Sequence, residues 1–222
     1  LLSKITQDDL SNENFKFSTS KNIKLNSINV WAQRLSYVGE LGYEIYIQKE
    51  NAKEIYDLIV NTGKNFGLTH CGAHTMDTMR MESGFLHWGH DISPEENQYQ
   101  AGLNFAISYK KPFDFIGKEN LLKIKDQKLE RRFVMLVLKD NTPGKPLLLH
   151  EEPIYLDDNI VGKTTSGNYS FNYNKNLSFG YINSQFSNEQ LVDKNLYIEI
   201  EKKKYPAELL IKPLKMHNFK DI

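Results

Sequence analysis

The residues best equipped for chemistry lie in Ser36-Tyr37-Val38-Gly39-Glu40-Leu41-Gly42-Tyr43-Glu44. Two glycines interrupt a strand-like run, and two carboxylates flank an aromatic ring. Glycine inside a strand marks a bulge or a close approach by ligand or backbone. Alternation resumes at once in Tyr43-Glu44-Ile45-Tyr46-Ile47. A carboxylate beside a ring on a bent strand can hold a flat heterocycle. The Glu44 carboxylate would accept two N–H donors while a ring covers the flat face. The same residues also read as the solvent face of an ordinary alternating strand, and residue types leave both readings open.

Four further constellations carry candidate chemistry. In Asp77-Thr78-Met79-Arg80-Met81-Glu82-Ser83-Gly84, Asp77 and Arg80 stand three apart and share a helix face. The plain expectation is a surface pair contributing about 0.2–1 kcal/mol; the alternative turns Arg80 inward against a carboxylate or a domain interface. His87-Trp88-Gly89-His90-Asp91 matches no zinc spacing, so metal binding is not expected. A loop whose Trp and His line a pocket fits better, with a packed irregular connection as the bland alternative. Gly162-Lys163-Thr164 invites a phosphate-loop reading, but the glycine required five residues earlier is Asp157. A strand entering a tight turn at Ser166-Gly167-Asn168 is expected instead. Cys71 has His70 and His74 nearby in sequence, yet a nucleophile needs a base and a lowered pKa; a buried structural cysteine is expected.

Periodicity supplies the elements that must position these groups. Residues 51–61 and 73–82 show helical spacing, with Gly63 and Gly84 as stops. Residues 103–109 alternate like a strand, and 117–128 read as a helix. Six short strands follow, at 133–138, 154–156, 160–165, 177–182, 196–200 and 207–211, separated by turn residues. That pattern indicates a barrel or sandwich. Residues 172–176 read as a mobile hairpin tip, and a domain boundary is placed near 126–132.

The 222 residues, 40% hydrophobic and 25% charged, are of ordinary globular composition. A formal net charge of zero gives no footprint for nucleic acid or an anionic membrane. Arginine occurs only at positions 34, 80, 131 and 132; the residue suits bidentate recognition of carboxylates, and local context decides what each one does. The one cysteine permits no intrachain disulfide and fits a reducing compartment. No run approaches the ~18 apolar residues of a membrane span. The chain opens on Leu1 without methionine or a signal pattern, so a piece of a longer polypeptide is expected.

Arg34 to Glu44, Met79-Arg-Met-Glu-Ser-Gly84, His87-Trp-Gly-His-Asp-Ile92, Ala101-Gly-Leu-Asn-Phe105, Phe115-Ile-Gly-Lys118, Arg131-Arg132, Ile160-Val-Gly162 and Thr165-Ser-Gly-Asn-Tyr169 follow one another in this order. Together they resemble the glycine-cleavage T-protein (aminomethyltransferase) superfamily. The His-Trp-Gly-His form and Leu147-Leu-Leu-His-Glu-Glu-Pro153 look like the folate-binding C-terminal module of sarcosine and dimethylglycine dehydrogenases. The resemblance implies an α+β fold: a partial folate-binding domain over 1–128, then a C-terminal antiparallel β-barrel over 129–222. It implies tetrahydrofolate as the acceptor of a one-carbon unit from a methylated glycine. It gives Glu44 as the pterin-binding carboxylate, with Tyr37, Arg80 and Trp88 lining or supporting that region. Phe219 stands where the family has a tyrosine near the C terminus, and Met76 where T-proteins carry an arginine. The family's catalytic aspartate lies upstream of this segment, so no catalytic residue is expected in this chain and the fragment alone should be inactive. FAD would belong to an N-terminal domain outside the chain, in line with the lack of a Gly-x-Gly-x-x-Gly. The expected partners are folate, the intermediate from the methylated glycine, and the rest of the same polypeptide. The expected location is cytoplasmic, or the mitochondrial matrix in a eukaryote. The alternatives are a stand-alone aminomethyltransferase or folate-dependent demethylase, and a non-catalytic folate-binding module.

Overall fold

The computed structural model describes residues 1–140, 142–183 and 186–216. The chain divides into two compact units, one built on Leu1–Asp77 and the other on Thr78–Lys215. The division by packing falls inside a helix, so residues 78–131 group with the barrel that follows them. The first barrel strand begins at Arg132. Among the described residues no helix is long and apolar enough to cross a membrane.

In the first unit, β1 (Ser20–Leu25), β2 (Ile28–Gln33) and β3 (Glu44–Tyr46) form an antiparallel sheet in that order. Their alternation buries Ile23, Leu25, Val30 and Ala32 on one face, against Phe15 and Ile55. The strand-like run breaks at 34–43, as the paired glycines imply. The helix α1 (Ala52–Gly63) lays Ile55, Leu58 and Ile59 on this core. Gly63 is helical, with φ −62°; the chain runs on through a 3-10 turn and stops at Gly67, whose φ of +69° suits a residue without Cβ. The next helix, α2, spans Ala73–Glu82.

In the second unit Gly84, at φ +72°, closes α2. The Gly84 amide donates to Met81 O and the Phe85 amide to Arg80 O. The alternating run 103–109 forms a 3-10 turn at Asn104–Ala106 instead of a strand. The phenols of Tyr99 and Tyr109, 2.5 Å apart, hold that segment folded back on itself. The helix α3 covers Lys118–Ile124, shorter than its pattern.

All six strands expected after residue 131 are present and close into a barrel. They are β4 (Arg132–Leu138), β5 (Pro153–Leu156), β6 (Asn159–Ser170), β7 (Lys175–Ile182), β8 (Leu196–Ile200) and β9 (Lys203–Leu210), ordered β4-β7-β6-β5-β8-β9. Closure leaves no free edge. Leu136, Leu138, Ile154, Ile182, Leu196 and Ile198 fill the interior. A short helix, α4 (Asn188–Leu191), is capped by Ser187 before β8.

Ser166-Gly167-Asn168 does not make the expected turn. β6 runs through it for 12 residues, with a bulge between Thr164 and Ser166. The small and polar residues have another reason. Ser166 faces a buried ion pair, and a Cβ added at Gly167 would lie 2.7 Å from the Leu148 carbonyl carbon. The reversal comes at 171–174. There Asn172 donates to Glu82, and beyond it Asn176 donates to the carbonyls of Asp140 and Thr142, so the hairpin uses its side-chain amides as anchors.

Candidate functional site

In the first unit Glu44 opens β3 on the solvent-facing side of the sheet. Register places Gln33 opposite Glu44 and Trp31 opposite Tyr46. The period-2 geometry of a strand puts Glu44 and Tyr46 on one face. The Tyr46 hydroxyl donates to Glu44 Oε2 at 2.8 Å. The Trp31 and Tyr46 rings pack 5.0 Å apart at a 41° tilt. That hydrogen bond, more than the charge itself, moves the Tyr46 phenol above its ordinary range. An exposed carboxylate beside two exposed rings is a set suited to a flat, N–H-bearing heterocycle. Tyr37 lies half-buried in the bend before Gly39. Behind the sheet, Arg34 is buried and donates to the carbonyl of Phe15 and the side chain of Asn12.

In the second unit the central feature is Asp91, 1% exposed. Its carboxylate accepts from Arg80, from the Ser166 hydroxyl at 2.8 Å, from the Thr165 hydroxyl at 2.5 Å and from the His87 amide at 2.9 Å. Its carbonyl accepts from the Tyr181 hydroxyl at 2.9 Å. Arg80, also 1% exposed, donates in turn to Ser166 Oγ and to Phe85 O. Arg80 is therefore turned inward against the Asp91 carboxylate instead of lying on the helix surface. Helical spacing could not reveal this, because the partner sits eleven residues away in an irregular loop. Near the end of α2, the buried Glu82 accepts from Ser170 and Asn172. These bonds tie the loop 85–92 and the end of α2 to β6 and β7, which is why this stretch groups with the barrel.

Beside that network lies a cleft of about 580 Å³, lined in part by His90, Glu95, Arg131, Lys163 and Tyr181. His90 faces it, while Trp88 stands 66% exposed outside its lining. Arg131 pairs with Glu96 and covers the Tyr181 ring, 4.9 Å from its centroid. Burial, and after it the Glu96 charge, pushes the Tyr181 phenol far above its ordinary range, which suits a donor. For Glu96, burial works against the charge. Hydrogen bonds from Ser93 and the Arg131 guanidinium outweigh it and hold the carboxyl below the usual range. A carboxyl depressed on folding stabilises above its unfolded value, about 4.3 for Glu, and loses that contribution as pH falls through the folded value. Acid unfolding below about pH 4.3 should therefore be shallower in Glu96→Gln than in the wild type, measured by thermal melts from about pH 6 to about pH 2.

Cys71 is exposed rather than buried, because the segment after Gly67 is a surface loop. The neighbouring His70 stacks on Tyr56. Phe219 lies outside the described residues. Glu44 and Tyr37 thus belong to the first unit, Arg80 and Trp88 to the second. Sequence reasoning misses Trp31, Tyr46 and Asp91. Tyr46 is legible as the same-face neighbour of Glu44 at i+2; Trp31 and Asp91 need the register and the tertiary fold.

A family profile described as the GCVT N-terminal domain matches residues 1–111, and one described as the glycine cleavage T-protein C-terminal barrel domain matches 131–215. The chain is 38% identical over 214 residues to the mitochondrial dimethylglycine dehydrogenase of Homo sapiens, covering 96% of this chain and 24% of that protein. It is 31% identical over 213 residues to an aminomethyltransferase of Geobacillus sp., covering 96% and 56% respectively. The crystal structure of glycine cleavage system aminomethyltransferase T from Bartonella henselae shares the fold, with a TM-score of 0.76 at 19% identity, over 90% of this chain and 52% of that one. The chain spans about a quarter of the dehydrogenase's length and about half of the aminomethyltransferase's.

Proposed function

The chain belongs to the glycine cleavage T-protein family, and from that premise we propose that it is the folate-dependent one-carbon-transfer part of a dehydrogenase acting on a methylated glycine. The higher identity to a dimethylglycine dehydrogenase, 38% against 31% for an aminomethyltransferase, supports the dehydrogenase branch. Tetrahydrofolate, when bound, supplies the nitrogens that take up the carbon. The chain's own residues bind and orient it. Glu44 accepts hydrogen bonds from the donor-rich edge of the pterin, and a charge-assisted bond of this kind is about twice as strong as a neutral one. Arg80 and Asp91, both buried, act by holding the loop that carries His87, Trp88 and His90. The acid–base carboxylate and an FAD domain belong, in this reading, to other parts of the polypeptide.

The observation that carries the reading is the exposed Glu44 carboxylate, fixed by Tyr46 beside two rings. Glu44→Gln in the full-length protein removes the charge and keeps the shape. Tetrahydrofolate should then bind about 10–100-fold more weakly by calorimetry, since a hydrogen bond to a charged group contributes about 1.5–3 kcal/mol. Unchanged affinity would rule out Glu44 as the pterin-binding residue. A stand-alone aminomethyltransferase is the second reading, supported by 31% identity to such a protein over 96% of the chain. An FAD-binding fingerprint upstream of Leu1 decides between the two.

A further inference from the structure

The exposed face of the first unit's sheet carries two large rings that Glu44 alone does not explain. Trp31 is 42% exposed and Tyr46 49% exposed, on adjacent strands in direct register. The two rings pack against each other, and each residue keeps somewhat under half of its surface open to solvent. Tyr46 occupies Glu44 Oε2 and leaves Oε1 available to a ligand. The face therefore offers an aromatic wall, an ionised acceptor and a fixed direction for that acceptor. These complement a flat ring system with amino and N–H groups along one edge.

We propose that Trp31 and Tyr46 complete the ligand site at Glu44. Trp31 stacks on the reduced pteridine ring, and Tyr46 is the positioning residue that aims the carboxylate. The proposal rests on the folate reading above and extends it to Tyr46, the i+2 neighbour of Glu44, and to Trp31, which only the strand register reveals. Indole is the largest π-face among the side chains and gives the strongest contact to a flat partner.

The test is calorimetric titration of the full-length protein with tetrahydrofolate under anaerobic conditions. Trp31→Leu should weaken binding about tenfold, a loss at the upper end of what an aromatic contact provides. Trp31→Phe, which keeps a ring, should stay within about threefold of wild type. Tyr46→Phe should weaken binding in the wild-type background but not in Glu44→Gln, because its effect passes through that carboxylate. Wild-type affinity in Trp31→Leu, with weakened binding in Glu44→Gln, overturns this proposal and leaves the folate reading standing. Full affinity in both variants overturns both. If Trp31→Leu fails to fold, tryptophan emission decides: the ligand-induced change should be smaller in Trp31→Phe than in wild type, because Trp88 still reports, and its undiminished persistence there overturns the proposal.

Discussion

Asp91→Ala is expected to destabilise the Thr78–Lys215 unit by about 3–5 kcal/mol, the usual result of removing one partner of a buried ion pair. The variant leaves the Arg80 guanidinium buried without its carboxylate, and it strands the hydroxyls of Thr165 and Ser166 as well. A loss of that size takes up a large part of the roughly 5–15 kcal/mol of a typical domain. Denaturant unfolding followed by far-ultraviolet circular dichroism reads it directly. Arg80→Met should cost a similar amount for the converse reason. The double variant Arg80→Met/Asp91→Leu should recover much of the loss, because an apolar replacement of both partners removes the uncompensated charge. A single-variant loss below about 1 kcal/mol, the range of an exposed pair, would show that water reaches the pair.

Gly162→Ala should also be severely destabilising. An added Cβ at this position would lie 1.8 Å from the Tyr181 carbonyl oxygen and 2.8 Å from its carbonyl carbon. Both are backbone atoms of β7, paired in register with β6 across Gly162 and Ile182. The strands cannot part without opening the barrel seam beside the cleft. Overpacking of a well-packed site costs about 1–3 kcal/mol, and a backbone obstacle places this case at or above the top of that range. A drop in Tm of about 4–8 °C for each kcal/mol suits a domain of roughly a hundred residues. Gly144→Ala is the control: its added Cβ meets nothing within 4 Å, although its φ of +67° adds backbone strain. A Gly162→Ala loss no larger than the control's would contradict the close approach.

The barrel is the most legible part of the fold. Short runs such as Phe133–Leu138 and Leu196–Ile200 are rich in β-branched and large apolar residues and are bounded by turn residues, so local pattern and tertiary role agree. The helix α2 is legible for the same reason, from its helical spacing and the glycine at its end. Residues 103–109 mislead because alternation is a weak signal when no strand lies beside it; a phenol pair fixes the local fold instead. Ser166 to Asn168 mislead because a glycine flanked by polar residues has the composition of a turn. Here it reports close packing and a buried ion pair. Arg80 reads as a surface residue because its partner, Asp91, is brought near only by the loop after Gly84. Cys71 reads as buried because cysteine usually is, yet it sits in a surface loop. Glu44 stands out by its own sequence context, whereas Trp31 becomes visible only when the register places it across from Tyr46.

Transfer of a one-carbon unit to bound folate can be followed by isotope. The full-length protein is supplied with dimethylglycine or sarcosine carrying a ¹³C-labelled N-methyl group, with and without tetrahydrofolate, and the label is traced by NMR. Tetrahydrofolate should divert the label from free formaldehyde into methylenetetrahydrofolate, and Glu44→Gln should reduce the diversion at limiting folate. Free formaldehyde also condenses with tetrahydrofolate unaided, so the yield from an equal amount of free formaldehyde is the baseline; a diversion that does not exceed it would contradict a folate-dependent role for this chain.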